Sequence, residues 1–307
     1  MYVQNATVFA GYPVVDWNGE EDIFSKGTDI AVAIRTDWEE NEKGGAWINK
    51  FNALLKHENV RHIPALVIGM WHYEESVRYI VDALVSNRTQ FANLKAIFVG
   101  DITSEENEIS WIKQDDLSPL WTAFPNLEHL TIRGGDGLIL GDINLPELKS
   151  LRIESGGLSS EVVRSVGEAI LPELESLVLW LGTSNYGATV KIADLERFYD
   201  CAEKPKLKYL GLCDSEIADS VAEFIATAPV LSRLDVLDLS LGMLTDEGAL
   251  ALITSPYIHK LKKLDLHYHF CSEAMVKKLQ ELAKDGMKVD TSERQTERDW
   301  RFVAVGE

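Results

Sequence analysis

Leu234-Asp-Val-Leu237-Asp-Leu239-Ser240 is apolar at its first, fourth and sixth positions, and the same LxxLxL spelling recurs along most of the chain. The other copies are Ile63-Pro-Ala-Leu66-Val-Ile68, Leu94-Lys-Ala-Ile97-Phe-Val99, Leu127-Glu-His-Leu130-Thr-Ile132, Leu148-Lys-Ser-Leu151-Arg-Ile153, Leu174-Glu-Ser-Leu177-Val-Leu179, Leu207-Lys-Tyr-Leu210-Gly-Leu212 and Leu261-Lys-Lys-Leu264-Asp-Leu266. Their central residues fall at 66, 97, 130, 151, 177, 210, 237 and 264, spacings of 21 to 33 residues. One such match is uninformative. Eight in series mark a solenoid, in which no unit buries its apolar face without its neighbours.

Each copy runs into a short loop and then a helical pattern. Val77, Ile80, Val81, Leu84 and Val85 share one helix face, as do Val162, Val163, Val166, Ala169 and Ile170. Val221, Phe224, Ile225 and Ala228 do the same, and so do Met275, Val276, Leu279, Leu282 and Ala283. Capping residues stand at the starts, as in Ser159-Ser160-Glu161, Thr245-Asp246-Glu247 and Ser272-Glu273. Strands recurring in one direction with helices between them predict a parallel sheet. Strands packed closely on one side and bulkier helices on the other predict a curved stack, an α/β horseshoe with strands on its concave side.

The pattern extends upstream: Ile30-Ala-Val-Ala-Ile34 reads as a strand and Trp47, Phe51, Leu54 and Leu55 as its helix. The predicted organisation is one domain over 1–307. Residues 1–29 form an N-terminal cap with a hairpin around Gly11-Tyr-Pro13, 30–286 about nine repeats, and 287–307 a C-terminal cap. In that second cap Met287-Lys-Val289 is a last short strand and Phe302-Val-Ala-Val305 an edge strand.

These units resemble leucine-rich repeats of the long, ribonuclease-inhibitor-like type. They depart from that pattern where the Asn or Cys after the strand is replaced, as at Gly135, Gly156, Gly182, Ser215 and Gly242. Gly100-Asp-Ile-Thr, Glu108-Ile-Ser-Trp-Ile, Glu154-Ser-Gly-Gly-Leu, Leu179-Trp-Leu-Gly-Thr, Ser215-Glu-Ile-Ala-Asp and the ending Phe302-Val-Ala-Val are similar to a bacterial family of single-domain cytoplasmic leucine-rich-repeat proteins. Members sit beside radical-SAM and ATP-grasp enzymes in gene clusters. That resemblance implies an accessory binding role and defines no chemistry.

Composition narrows the partners. The 307 residues carry a net charge of −19, which would repel nucleic acid and an anionic membrane surface and would attract a basic partner. The first ten residues lack a cationic stretch and a long apolar run, which argues against a signal peptide. Three cysteines, Cys201, Cys213 and Cys271, form no CxxC pair, so neither a disulfide framework nor a thiolate metal site is expected, and a reducing cytoplasm fits.

The residues that alternate with the core positions should face the concave side. One column reads Gly69, Gly100, Arg133, Glu154, Trp180, Cys213, Ser240 and His267; the other reads Val67, Phe98, Thr131, Arg152, Val178, Gly211, Asp238 and Asp265. Arg133, Arg152, Glu154 and Trp180 therefore meet on adjacent strands, either as an interaction hot spot with a projecting Trp or as a lateral salt-bridge ladder. His267 and His269 alternate on one strand beside Asp265, with Asp238 and Ser240 on the next, a donor set that could take zinc. Asp101, Glu105, Glu106, Glu108, Asp115 and Asp116 read as a solvated acidic face. No nucleophile, phosphate-loop or metalloprotease signature is present. The reading is a non-enzymatic module without cofactor or resident metal, binding a protein or peptide through Arg133, Arg152, Glu154 and Trp180. Its rival is a metal-dependent or small-molecule enzyme using Asp238, Asp265, His267 and His269.

Overall fold

The computed structural model describes residues 4–20, 22–25, 27–296 and 300–306, which form a twelve-stranded sheet whose strand order follows chain order. The strands are β1 Val8–Phe9, β2 Tyr12–Asp16, β3 Ala31–Ile34, β4 Ala65–Gly69, β5 Ala96–Asp101, β6 His129–Arg133, β7 Ser150–Glu154, β8 Ser176–Gly182, β9 Tyr209–Ser215, β10 Val236–Asp238, β11 Lys263–Asp265 and β12 Lys288–Asp290. From β2 onward neighbouring strands are parallel; β1 and β2 form an antiparallel hairpin. Its two-residue turn, Ala10-Gly11, has φ of 50° and 83°, the paired left-handed geometry that matches strand twist.

The repeat reading maps onto the register residue by residue. Leu66, Ile97, Leu130, Leu151, Leu177, Leu210, Leu237 and Leu264 form one continuous row across β4 to β11. None of them is more than 1% exposed. A second row, Ile68, Val99, Ile132, Ile153, Leu179 and Leu212, runs beside it. Each leucine therefore packs on its equivalents in the units before and after.

The opposite layer is helical: α1 Trp38–Glu42, α2 Ala46–Leu54, α3 Arg78–Ser86, α4 Pro119–Ala123, α5 Ser160–Glu168, α6 Ala218–Ala226, α7 Asp246–Ile253 and α8 Glu273–Glu281. Most of the predicted apolar stripes are buried, as with Ile80, Val81 and Leu84 on α3, but α5 ends at Glu168, so Ile170 leaves its stripe and is exposed. Predicted caps close too, Ser159 accepting from the Val162 amide and Ser272 from that of Met275. Between β8 and β9 the helix is a 3₁₀ segment, Ile192–Phe198. Residues 134–149, in the shortest unit, carry no helix and are held by isolated bridges from Asp136 to Lys113 and from Ile139 to Asp116. A leucine-rich-repeat solenoid results. No helix among the described residues is long and apolar enough to cross a membrane.

At the strand entrances the charges alternate from unit to unit. Lys95, Glu128, Lys149, Glu175, Lys208, Asp235 and Lys262 follow one another, each backbone amide donating to the carbonyl of the one before. Glu128 pairs with Lys95 at 3.1 Å and Lys149 at 2.6 Å, and Asp235 pairs with Lys262 at 2.9 Å.

One expectation fails. Residues 302–305 form no edge strand; the tail crosses the loops beyond the strand ends. Phe302 O accepts from the Tyr268 hydroxyl, the Ala304 amide donates to Leu241 O, and the Val305 amide donates to Asp214 Oδ1. Val303 and Val305 find apolar cover there, at 6% and 4% exposure, which a bare sheet edge would not give them.

Truncating the apolar row opens a cavity that two neighbouring repeats share. Leu177→Ala should therefore cost about 2–5 kcal/mol in urea unfolding, whereas Ile170→Ala, at 71% exposure, should cost far less.

Candidate functional site

The concave columns fall where alternation places them: Thr131, Arg152, Val178, Gly211, Asp238 and Asp265 in one, with Arg133 beside Glu154 and Trp180 beside Cys213 in the other. The face is nevertheless much less open than that pattern implies. Phe9 packs over β3 to β5 with Ala31, Ala33, Ala65, Val67, Ala96 and Phe98, so the N-terminal segment covers the first third of the sheet. The Phe9 and Phe98 ring centres are 5.6 Å apart.

A chain of alternating charge, buried along its middle and exposed at its two ends, leads from that cover to the centre. Arg35 pairs with Asp16 on β2 and with Asp101 on β5. Asp101 is 3.7 Å from Arg133, Arg133 Nε donates to Glu154 at 2.7 Å, and the other Glu154 oxygen accepts from Arg152. Arg35 crosses β4 at Gly69, where a Cβ would sit 2.2 Å from its Cγ. Asp101 enters the row because Gly100, at φ +90°, forms a bulge that shifts the register to Gly69–Asp101. Asp101 also accepts from the Ala6 amide, and its carbonyl accepts from the Asn5 side chain at 2.9 Å. Asp101 is thus no part of a solvated acidic face: it is fully buried and fastens the N-terminal segment.

A further expectation is corrected by burial. Arg133, Glu154 and Trp180 are 7%, 5% and 6% exposed, so Trp180 does not project. The Arg152 guanidinium lies 5.5 Å above its ring, as that of Arg133 lies 5.2 Å above Phe98. Large side chains in one column on strands this close fill one another's space. Arg152 alone of the four reaches solvent, its side chain 39% exposed. Burial pushes the Glu154 carboxyl up, but the Arg133 and Arg152 guanidinium groups outweigh it and hold it below the usual range.

The histidine pair separates. Tyr268, at φ +59°, turns the chain beyond β11, so His267 and His269 do not share a side. His269 is fully buried; its Nδ1 accepts from the Cys271 amide, which leaves Nε2 to donate to Thr291 O at 3.1 Å. Both nitrogens are engaged, and burial lowers its pKa. His267 Nδ1 instead meets Asp265 Oδ1 at 2.8 Å, and Asp290, not singled out from sequence, aligns with Asp265 on the next strand. One donor atom from each of Asp265, His267 and Asp290 lies within 4.8 Å of the others. Lys263 Nζ already holds Asp265 at 2.7 Å and supplies a cation there. Asp238 is likewise occupied, by the Tyr209 hydroxyl at 2.6 Å and the Ser240 amide at 3.0 Å. The cysteines are buried, and burial pushes Cys201 up to about 11 and Cys271 up to about 12.

Beyond the strand ends, Asp214 is fully buried at φ +51°, and burial pushes its carboxyl up to about 8 although the Val305 amide donates to it at 2.9 Å. The folded protein therefore holds a proton that the unfolded chain, at its ordinary carboxyl pKa, has released.

Among solved structures, the chain is 35% identical to a Bacteroides fragilis protein, with a TM-score of 0.82 over 91% of this chain and 78% of that one. An internalin from Listeria monocytogenes is 15% identical, with a TM-score of 0.37 over 93% of this chain and 82% of its own. TLR13 in complex with ssRNA13 is 14% identical, with a TM-score of 0.49 over 89% of this chain and 37% of its own. No family model and no curated protein matches.

Two measurements probe the buried charges. Asp101→Asn leaves Arg35 and Arg133 short of a counter-charge and should cost about 3–5 kcal/mol, while Arg152→Gln at the solvent end should cost about 1 kcal/mol or less; equal losses would refute the buried chain. For Asp214, stability is fully present below the ordinary carboxyl range and falls as pH rises to about 8. The melting temperature of wild type minus that of Asp214→Asn should therefore decline steadily from pH 5 to pH 8 and level off above.

Proposed function

Because this chain belongs to the same protein family as the Bacteroides fragilis structure, and both are leucine-rich-repeat solenoids, we propose that it is a non-enzymatic scaffold that binds a protein or peptide on the centre of its concave sheet. The observation that carries this is Arg152. Its guanidinium is held by Glu154 and lies over the Trp180 ring, yet the side chain keeps 39% of its surface in solvent. A cation fixed before the partner arrives loses little rotamer freedom on binding. Arg133, Glu154 and Trp180 complete the proposed site as the packed support that sets its orientation.

Several finer readings belong to the same proposal. The strand–loop–helix units of 21 to 33 residues support the ribonuclease-inhibitor-like type. We read the chain as a single domain, with 1–29 and 287–307 closing a repeat array over 30–286. A bacterial, cytoplasmic setting and an accessory role in a biosynthetic or modification pathway rest on the sequence resemblance alone. A net charge of −19 supports a protein partner over nucleic acid; the RNA in the TLR13 complex belongs to that protein. An enzyme built on Asp238, Asp265, His267 and His269 has little support, since His269 is buried with both nitrogens bonded and Asp238 is filled.

The test is a paired capture from the source organism, with wild type and Arg152→Ala as bait. One or more proteins should be retained by wild type and lost with the variant, and the purified pair should bind at least about tenfold more weakly, near 1.4 kcal/mol. In the same buffer, micromolar protein should not shift a 20-nucleotide RNA. Retention of the same partners by a folded Arg152→Ala bait would remove the concave centre from consideration.

A further inference from the structure

Among the aromatic features outside the concave centre is a pair on the loops beyond β3 and β4. Trp38, the first residue of α1, is 59% exposed, and its ring packs against Tyr73 in a tilted arrangement, with centroids 4.8 Å apart and planes inclined at 54°. Tyr73 is half-buried and packed on the core, so the pair is an aromatic platform whose indole is mostly in water. An exposed Trp held in place by a second ring has a cost in hydration that a free surface does not remove.

The surroundings of this platform are negative. Burial pushes the Tyr73 phenol up, and the carboxylates of Glu106 and Asp37 beside it push it further. A groove of about 310 Å³ adjoins them, lined by Asp16, Asp37, Glu40 and Glu106 together with Arg35 and Lys50. Both cations in it are already spent: Arg35 on Asp16 and Asp101, Lys50 on Glu40 at 2.8 Å. Asp37 and Glu106 make only local bonds, to the Glu40 amide and to Thr103, and no ion pair among the described residues neutralises them. A second copy of this chain does not fit, since it would bring another net charge of −19 against the same edge.

We propose that the Trp38–Tyr73 platform, with Asp37 and Glu106 at its rim, docks a lysine- or arginine-bearing segment of a partner protein. A cation over the exposed indole face gains from the ring's quadrupole, and the two carboxylates offer hydrogen-bond acceptors that no internal cation uses. This surface lies apart from Arg152 and stands whether or not the concave centre is a docking site.

The probe is a fluorescein-labelled hexa-arginine peptide, with hexaglutamate as control, read by anisotropy in 150 mM salt. Wild type should bind hexa-arginine and not hexaglutamate. Trp38→Ala leaves the net charge unchanged and should weaken binding about three- to fivefold. Trp38→Leu keeps apolar cover on Tyr73 and should lose as much, because it lacks a π face; it also serves if Trp38→Ala does not fold. Glu106→Gln should weaken binding, whereas Glu161→Gln, on the exposed start of α5, should change it less than twofold. The proposal is overturned if hexa-arginine does not bind. It also fails if folded Trp38→Leu binds as wild type, or if Glu161→Gln weakens binding as much as Glu106→Gln, which would reduce the effect to the general attraction of an acidic protein.

Discussion

Every strand from β3 to β11 offers hydrogen-bonding edges to two neighbours, and no strand can satisfy its own backbone. The leucines obey the same rule, since Leu177 is covered by Leu151 on one side and Leu210 on the other. Backbone pairing and apolar packing thus depend on one register, and a slip by one residue would turn the whole leucine row to the wrong face. That constraint explains why units of unequal length coexist. A unit may shorten until it loses its helix, as between β6 and β7, provided its strand still delivers Leu-x-Leu in phase.

The concave side answers a different demand. Charges placed over a sheet are costly once the surface is covered, unless each finds a partner. Here six alternating residues from Asp16 to Arg152 neutralise one another, buried at Asp101, Arg133 and Glu154 and open to solvent at both ends. Asp101 carries most of this arrangement: it takes two guanidinium groups and the Ala6 amide while wholly out of water. The N-terminal segment and the middle of the sheet are therefore tied through one carboxylate.

Much of this was legible in the residues. LxxLxL copies gave strand positions, register and sheet direction, because period-two alternation and a repeat length leave few alternatives. Burial of the concave face was not legible. Alternation assigns a side chain to a face and says nothing about what later folds over that face, so Trp180 read as projecting. The clue was in the composition: Ala31, Ala33, Ala65 and Ala96 are too small and apolar for a bare surface, and the hairpin lies over them. His269 was misplaced because strict alternation was carried past the strand end, where the left-handed Tyr268 breaks it. In the same column, Gly69 leaves the space that Arg35 crosses to reach Asp101, and the bulge at Gly100 brings Asp101 into line with it.

The alternating charges at the strand entrances have a consequence for how such a chain can change length. Lys95, Glu128, Lys149, Glu175, Lys208, Asp235 and Lys262 are neighbours only through the order of their units, and Pro64 and Met287 stand at the two ends. Deleting one internal unit would seat two like charges side by side, and duplicating one in tandem would do the same. Removing or copying two adjacent units restores the alternation. The sign of a single side chain per repeat thus gives the solenoid a parity, and favours growth and shrinkage in pairs of repeats even though the leucine core would accept any number.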